Sequence, residues 1–165
     1  MDRLSKEKRS WNMSRIRDRD TKPELAVRAI LLQMGYPFEL NQRLLPGKPD
    51  IVLPACRTAI FVHGCFWHRH KRCRFAYNPK SRKAFWERKF EYNTNHDRTV
   101  NRKLWRNGWS IITVWECQLT DSEKLIRRMT FALKRIQQRR ASTQSRGMKC
   151  RKRKQPSRSY HLQGS

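Results

Sequence analysis

Apolar and polar positions along the chain alternate in a way that orders it as helix, short strands, helix, strand, helix. After a basic, polar stretch at 3–19, the run Asp20-Thr21-Lys22-Pro23-Glu24 has the makings of a helix start. It offers a polar cap, a proline in the first turn and an acid near the positive helix end. Leu25, Val27, Ile30, Leu31 and Met34 continue that helix to Gly35, a natural stop. Three strand-like runs follow, Pro37 to Asn41, Asp50 to Leu53 and Thr58 to Val62, separated by PGKP and PACR turns. The run TAIFV at 58–62 is continuously apolar, as a central strand buried on both faces requires. Residues 81–107 read as a charged helix ending at Asn107-Gly108, Trp109 to Trp115 as a second buried strand, and Ser122 to Arg139 as a basic helix. The sum is an α/β domain over 21–140, preceded by an arm at 1–20 and followed by a tail at 141–165. Both arm and tail are basic, and the tail is expected to be disordered.

Charge narrows the function. The 165 residues carry 39 Lys and Arg against 13 Asp and Glu, a net charge of +26. Such an excess draws the chain to polyanions, with counterions released as phosphates are neutralised. No apolar run is long enough to span a membrane, and MDRLSKEKRSW has no signal-peptide core, so an intracellular protein is expected. In a reducing compartment five cysteines argue for metal binding over a disulfide framework.

The candidate chemistry is concentrated in FVHGCFWHRHKRC, residues 61–73, and in PGKPD, which ends at Asp50. Asp50 opens one strand and His63 closes the next, so antiparallel pairing would bring both to one sheet edge. A carboxylate there can hold Mg²⁺, which polarises a phosphate and acidifies a bound water. His63 or His68 can serve as base or as donor to phosphoryl oxygens. Read alone, Asp50 is more often a plain turn residue, and it is the nearby histidines that shift the reading towards catalysis. Cys65, His70, Cys73 and Cys117 form a candidate zinc set, whereas Cys56 and Cys150 are expected to be non-ligands. Phe66 and Trp67, set among these ligands, are either a wedge between base pairs or a small apolar cluster over the metal loop.

PGKPD, FVHGCFWHRH and VWEC together resemble the very short patch repair endonucleases (Vsr), which nick DNA at T:G mismatches. The resemblance covers about Ser10 to Cys117 and, more loosely, the chain to about 140. It implies a restriction-endonuclease-like fold, a central mixed β-sheet flanked by helices with a structural zinc site. It also implies Asp50 and the backbone carbonyl of Val62 as Mg²⁺ contacts, with two Mg²⁺ in catalysis. His63 and His68 become the active-site histidines, His68 the base with Asp97 orienting it, and Glu24 the acid that holds the hydrated metal cluster. Cys65, His70, Cys73 and Cys117 become the ligands of one Zn²⁺. Phe66, Trp67 and Trp86 become the aromatic wedge, and Met13 a probe from the minor-groove side. The implied reaction is hydrolysis 5′ to the T of a T:G mismatch left by deaminated 5-methylcytosine. The implied setting is the bacterial cytoplasm and nucleoid, with a cytosine-5 DNA methyltransferase as functional partner, mismatch-repair proteins and a repair polymerase downstream, and a monomeric enzyme. Two rivals stand beside it: a restriction-type endonuclease of the same fold, and a zinc-stabilised DNA-binding module without catalysis.

Overall fold

The computed structural model describes residues 19–40 and 43–152, with side chains described to Thr143. The elements are α1 (Lys22–Gln33), β1 (Glu39–Leu40), β2 (Ile51–Leu53), a 3₁₀ turn (Pro54–Cys56), β3 (Thr58–His63), α2 (Lys83–Arg106), β4 (Ser110–Trp115), a second 3₁₀ turn (Glu116–Thr120) and α3 (Ser122–Lys152). The four strands form one mixed sheet in the order β1-β2-β3-β4, in which β2 pairs antiparallel with both β1 and β3 while β3 and β4 run parallel.

Local chemistry explains the element ends. The Thr21 hydroxyl accepts from the Glu24 N–H at 3.4 Å, and a proline sits in the first turn. At the other end Gly35 adopts φ +72°, which lets the Gly35 and Tyr36 N–H groups return to the carbonyls of Leu32 and Leu31. Helix α2 ends the same way: Gly108 has φ +73°, and the Gly108 and Trp109 N–H groups reach the carbonyls of Trp105 and Leu104. Trp109 is consumed in that cap, so β4 begins one residue later than the sequence pattern suggests.

Two cores sandwich the sheet. Val27, Ile30 and Leu31 of α1 and Leu125, Met129 and Leu133 of α3 pack with Ile51, Leu53, Ile60, Ile112 and Val114 on one face. Val100 and Leu104 of α2 pack with Ala59 and Phe61 on the other. Successive residues of β3 therefore feed opposite cores, and the uninterrupted apolar run is the price of cover on both faces. The 43–48 turn is pinned to α2 from below, because Gly47, at φ +75°, lies so close to Val100 that an added Cβ would fall 2.3 Å from its Cγ1.

Three expectations are corrected. Strand β4 is half-buried where full burial was expected: only Ile112 and Val114 are buried, because among the described strands it pairs on one side alone. Strand β1 is two exposed residues within the longer run expected. Helix α3 continues past Arg139 to Lys152, so the first part of the expected disordered tail is helical; Ala, Gln, Met, Arg and Lys there favour helix and no proline intervenes, although Gly147 works against it.

Candidate active site and metal centre

The carboxyl end of β3 gathers the chemistry. Asp50 stands immediately before β2, and the antiparallel β2–β3 ladder brings its carboxylate to the last turns of β3, where Oδ2 accepts the Val62 N–H at 2.7 Å. Burial pushes the Asp50 carboxyl up to about 6, and the negative charge of Glu24 adds to the rise. The Val62 N–H and the positive charge available on His68 and Arg28 work against it. A carboxylate raised in this way favours a cation beside it.

Glu24 is nearly fully buried in the first turn of α1. Its Oε1 accepts the Thr21 hydroxyl at 2.7 Å, and its Oε2 accepts the Asp20 N–H at 3.0 Å and Arg28 Nη2 at 3.4 Å. Arg28 also binds Asp20 at 2.5 Å, so the entry to α1 is tied to the acid that faces Asp50. Three protein donors thus take up most of the acceptor directions of Glu24.

His63, His68 and Asp97 converge beside this pair of acids, each offering a ligand atom within 4.8 Å of the others. The two imidazoles stack with centroids 3.8 Å apart and planes 13° apart. Asp97, projecting from α2, places Oδ2 2.6 Å from His68 Nδ1 and 3.9 Å from His63 Nδ1. A carboxylate only accepts, so the proton shared with His68 sits on Nδ1, and the neutral ring keeps its lone pair on Nε2. Burial and the neighbouring His68 push His63 down to about 4 against the pull of Asp97, which leaves His63 neutral at physiological pH. Asp50 is not a member of this three-residue cluster, although His68 lies close enough for its charge to act on the Asp50 carboxyl.

The second cluster is Cys65, His70, Cys73 and Cys117, whose ligand atoms also lie within 4.8 Å of one another. His70 Nδ1 is 3.6 Å from Cys65 Sγ and 3.3 Å from Cys117 Sγ. Tetrahedral zinc with ordinary Zn–S and Zn–N bonds separates such atoms by about 3.5 Å, so the donor set fits that ion in type and size. Burial pushes the Cys65 thiol up to about 12, a group that a metal would have to deprotonate. Cys56 is buried elsewhere, its thiol directed to Thr58 Oγ1 and the Leu53 carbonyl.

Phe66, Trp67 and Trp86 come together. Phe66 meets Trp67 and Trp86 edge-on at 5.2 Å, and it also contacts Tyr77 and Phe90. Arg69 braces this group: its guanidinium lies 4.3 Å from the Phe90 ring centroid and donates to the Tyr77 carbonyl and Asn78 Oδ1. Asn93 of α2 donates to the Trp67 carbonyl at 2.9 Å. Met13 lies outside the described residues. Sequence reasoning missed Arg69 and Asn93, which hold functional side chains through tertiary contacts, and Arg28, whose i,i+4 spacing from Glu24 was a local signal for the pair. It placed Trp115 in a strand and in the VWEC motif without giving it a role.

Carboxylates and stacked histidines at one strand end of a mixed sheet, with a Cys/His clamp beside them on a strongly basic chain, suit metal-assisted hydrolysis of a polyanion. Residues 1–74 match the family described as DNA mismatch endonuclease Vsr. The chain is 47% identical over 120 residues to the type II nicking enzyme V.XorIIP of Xanthomonas oryzae pv. oryzae, an alignment covering 73% of this chain and 88% of that one. It is 41% identical over 117 residues to the DNA mismatch endonuclease Vsr of Escherichia coli K12, covering 71% and 74%. To the type II nicking enzyme V.NmeAIP of Neisseria meningitidis it is 41% identical over 112 residues, covering 68% and 79%. The chain belongs to the Vsr family of DNA mismatch endonucleases.

Proposed function

We propose that this endonuclease nicks one strand of duplex DNA 5′ to the T of a T:G mismatch arising from 5-methylcytosine deamination, in a Mg²⁺-dependent hydrolysis. The observation that carries the reading is the Asp50 carboxylate hydrogen-bonded to the Val62 N–H, beside the stacked His63–His68 pair held by Asp97. Asp50 and the Val62 carbonyl would hold Mg²⁺, and Glu24 would order its water shell. When bound, Mg²⁺ (two ions in this reading) supplies charge neutralisation at the scissile phosphate and a more acidic water. His68 removes the proton from the attacking water through Nε2, and Asp97 keeps that ring in the required tautomer and stabilises the imidazolium. Neutral His63 donates to a phosphoryl oxygen or accepts from the attacking water. Cys65, His70, Cys73 and Cys117 would hold one Zn²⁺, which cross-links the loop carrying His68 to the end of β4.

Phe66, Trp67 and Trp86 present a preassembled aromatic face that stacks on bases unstacked at the mismatch, with Met13 of the arm approaching from the minor groove. The net charge of +26 supplies the sequence-independent part of binding. The setting is the bacterial cytoplasm, where a cytosine-5 DNA methyltransferase creates the lesion-prone base; the enzyme acts as a monomer because one nick needs one site. The test is Asp50→Ala: mismatched duplex is bound with little change while nicking in Mg²⁺ is abolished. Full nicking by that variant would refute the assignment of Asp50.

A further inference from the structure

Strands β3 and β4 run parallel and end in register on the pair His63 and Trp115. Two residues beyond each lies a cysteine of the metal clamp, Cys65 after His63 and Cys117 after Trp115. The clamp thus closes over the ends of the two strands immediately past the last paired residues.

At that point the rings form a continuous column. His68 stacks on His63 at 3.8 Å. His63 meets the Trp115 ring at 5.4 Å with planes 77° apart. Trp115 stacks on His70 at 4.2 Å with planes 9° apart. Trp115 is therefore the one aromatic ring in this column that touches both clusters, His63 on the hydrolytic side and His70 on the metal side. Its own backbone is fixed, since the Trp115 N–H donates to Gln118 Oε1 at 3.1 Å and Arg128 holds the same Gln118 oxygen.

We propose that Trp115 is a positioning residue for hydrolysis, its indole holding His63 edge-on and His70 face-on so that the Cys/His clamp sets the orientation of the His63–His68 pair. The proposal rests on the reading that this histidine pair acts at the scissile phosphate. The physical argument is one of rotational freedom. A flat contact with His68 restrains tilting of the His63 ring but permits sliding within the stacking plane. The perpendicular indole edge blocks that second motion. Asp97 reaches His63 Nδ1 only at 3.9 Å, too far for a hydrogen bond that would fix the ring alone. A misplacement of about 1 Å in a reacting group costs on the order of a hundredfold in rate.

The experiment compares zinc-loaded wild type, Trp115→Phe and Trp115→Leu in three measurements. These are the nuclear Overhauser contact between the His63 and His68 imidazole protons in DNA-free protein, affinity for a T:G duplex, and single-turnover nicking. Trp115→Leu is expected to lose the imidazole contact and nick about a hundredfold more slowly with zinc content and duplex affinity unchanged, while Trp115→Phe keeps the contact and stays within about tenfold of wild type. Should Trp115→Leu fail to fold, Trp115→Met, also without a ring but longer and more adaptable than leucine, takes its place. A retained imidazole contact, an unchanged rate, or a loss of rate accompanied by loss of zinc or duplex affinity would overturn the proposal. If wild type does not nick the T:G duplex, the proposed function fails. The imidazole contact, measured without DNA, then decides the positioning role by itself.

Discussion

Asp50→Asn should make the Mg²⁺-free protein more stable, a consequence of how the site is built. The Asp50 carboxyl titrates at about 6 in the folded protein against an ordinary value of 3.8, with burial as the main cause. Two pH units at about 1.4 kcal/mol each make the ionised group cost the fold about 3 kcal/mol, an upper figure because burial can relax. Asparagine keeps an oxygen to accept the Val62 N–H and carries no charge. The pH dependence follows from proton counts. Between 3.8 and 6 the unfolded chain has already released the Asp50 proton while the folded one retains it, so wild-type stability falls as pH rises through that window and levels off above it. The advantage of Asp50→Asn should be small near pH 4, grow through pH 6 and hold near 3 kcal/mol at pH 8. Urea titrations of both zinc-loaded proteins in Mg²⁺-free buffer measure it, and changes at the Cys/His clamp cancel in the difference. Added Mg²⁺ should stabilise wild type and leave the variant unmoved. An Asp50→Asn protein no more stable than wild type at pH 8, or an advantage independent of pH, would refute the argument.

Other consequences are as direct. Because a proton and Mg²⁺ compete for Asp50, the Mg²⁺ concentration for half-maximal nicking should rise about tenfold per pH unit below about 6, read from metal titrations at several pH values. Asp97→Asn should slow nicking by about 10²-fold to 10⁴-fold at unchanged duplex affinity, because the amide can stabilise the wrong His68 tautomer; single-turnover rates check it. Zinc analysis should find one ion per chain, and Cys117→Ala should lose it along with a clear drop in melting temperature. Gly47→Ala should destabilise by about 1–3 kcal/mol, since the new methyl meets Val100 and the backbone is at φ +75°; equilibrium unfolding measures it.

Much of this was legible in the residues because the signals are local. Gly35 and Gly108 end helices for backbone reasons that a sequence displays, and TAIFV announces a strand covered on both faces. The convergence of Asp50 with the end of β3 followed from one assumption, antiparallel pairing of adjacent strands, which the register bears out. What the sequence hid was tertiary. Trp115 looked like a core residue of a strand, and only the parallel β3–β4 register brings it against His63. Asn93 and Arg69 are ordinary polar residues until α2 folds against Trp67 and Arg69 is enclosed by Phe90 and the 74–82 loop. The half-burial of β4 likewise depends on its place in the sheet, which hydrophobicity alone does not report.

The central claim is strand-specific hydrolysis at a mismatch. The most direct measurement incubates the protein with Mg²⁺ and duplexes carrying a single T:G pair or its fully paired counterpart, each strand labelled separately, and maps the products at nucleotide resolution. The account predicts one nick, immediately 5′ to the mismatched T, with the G strand and the paired duplex intact. Cleavage of both strands of paired DNA, or tight binding with no nick at any Mg²⁺ concentration, would contradict it.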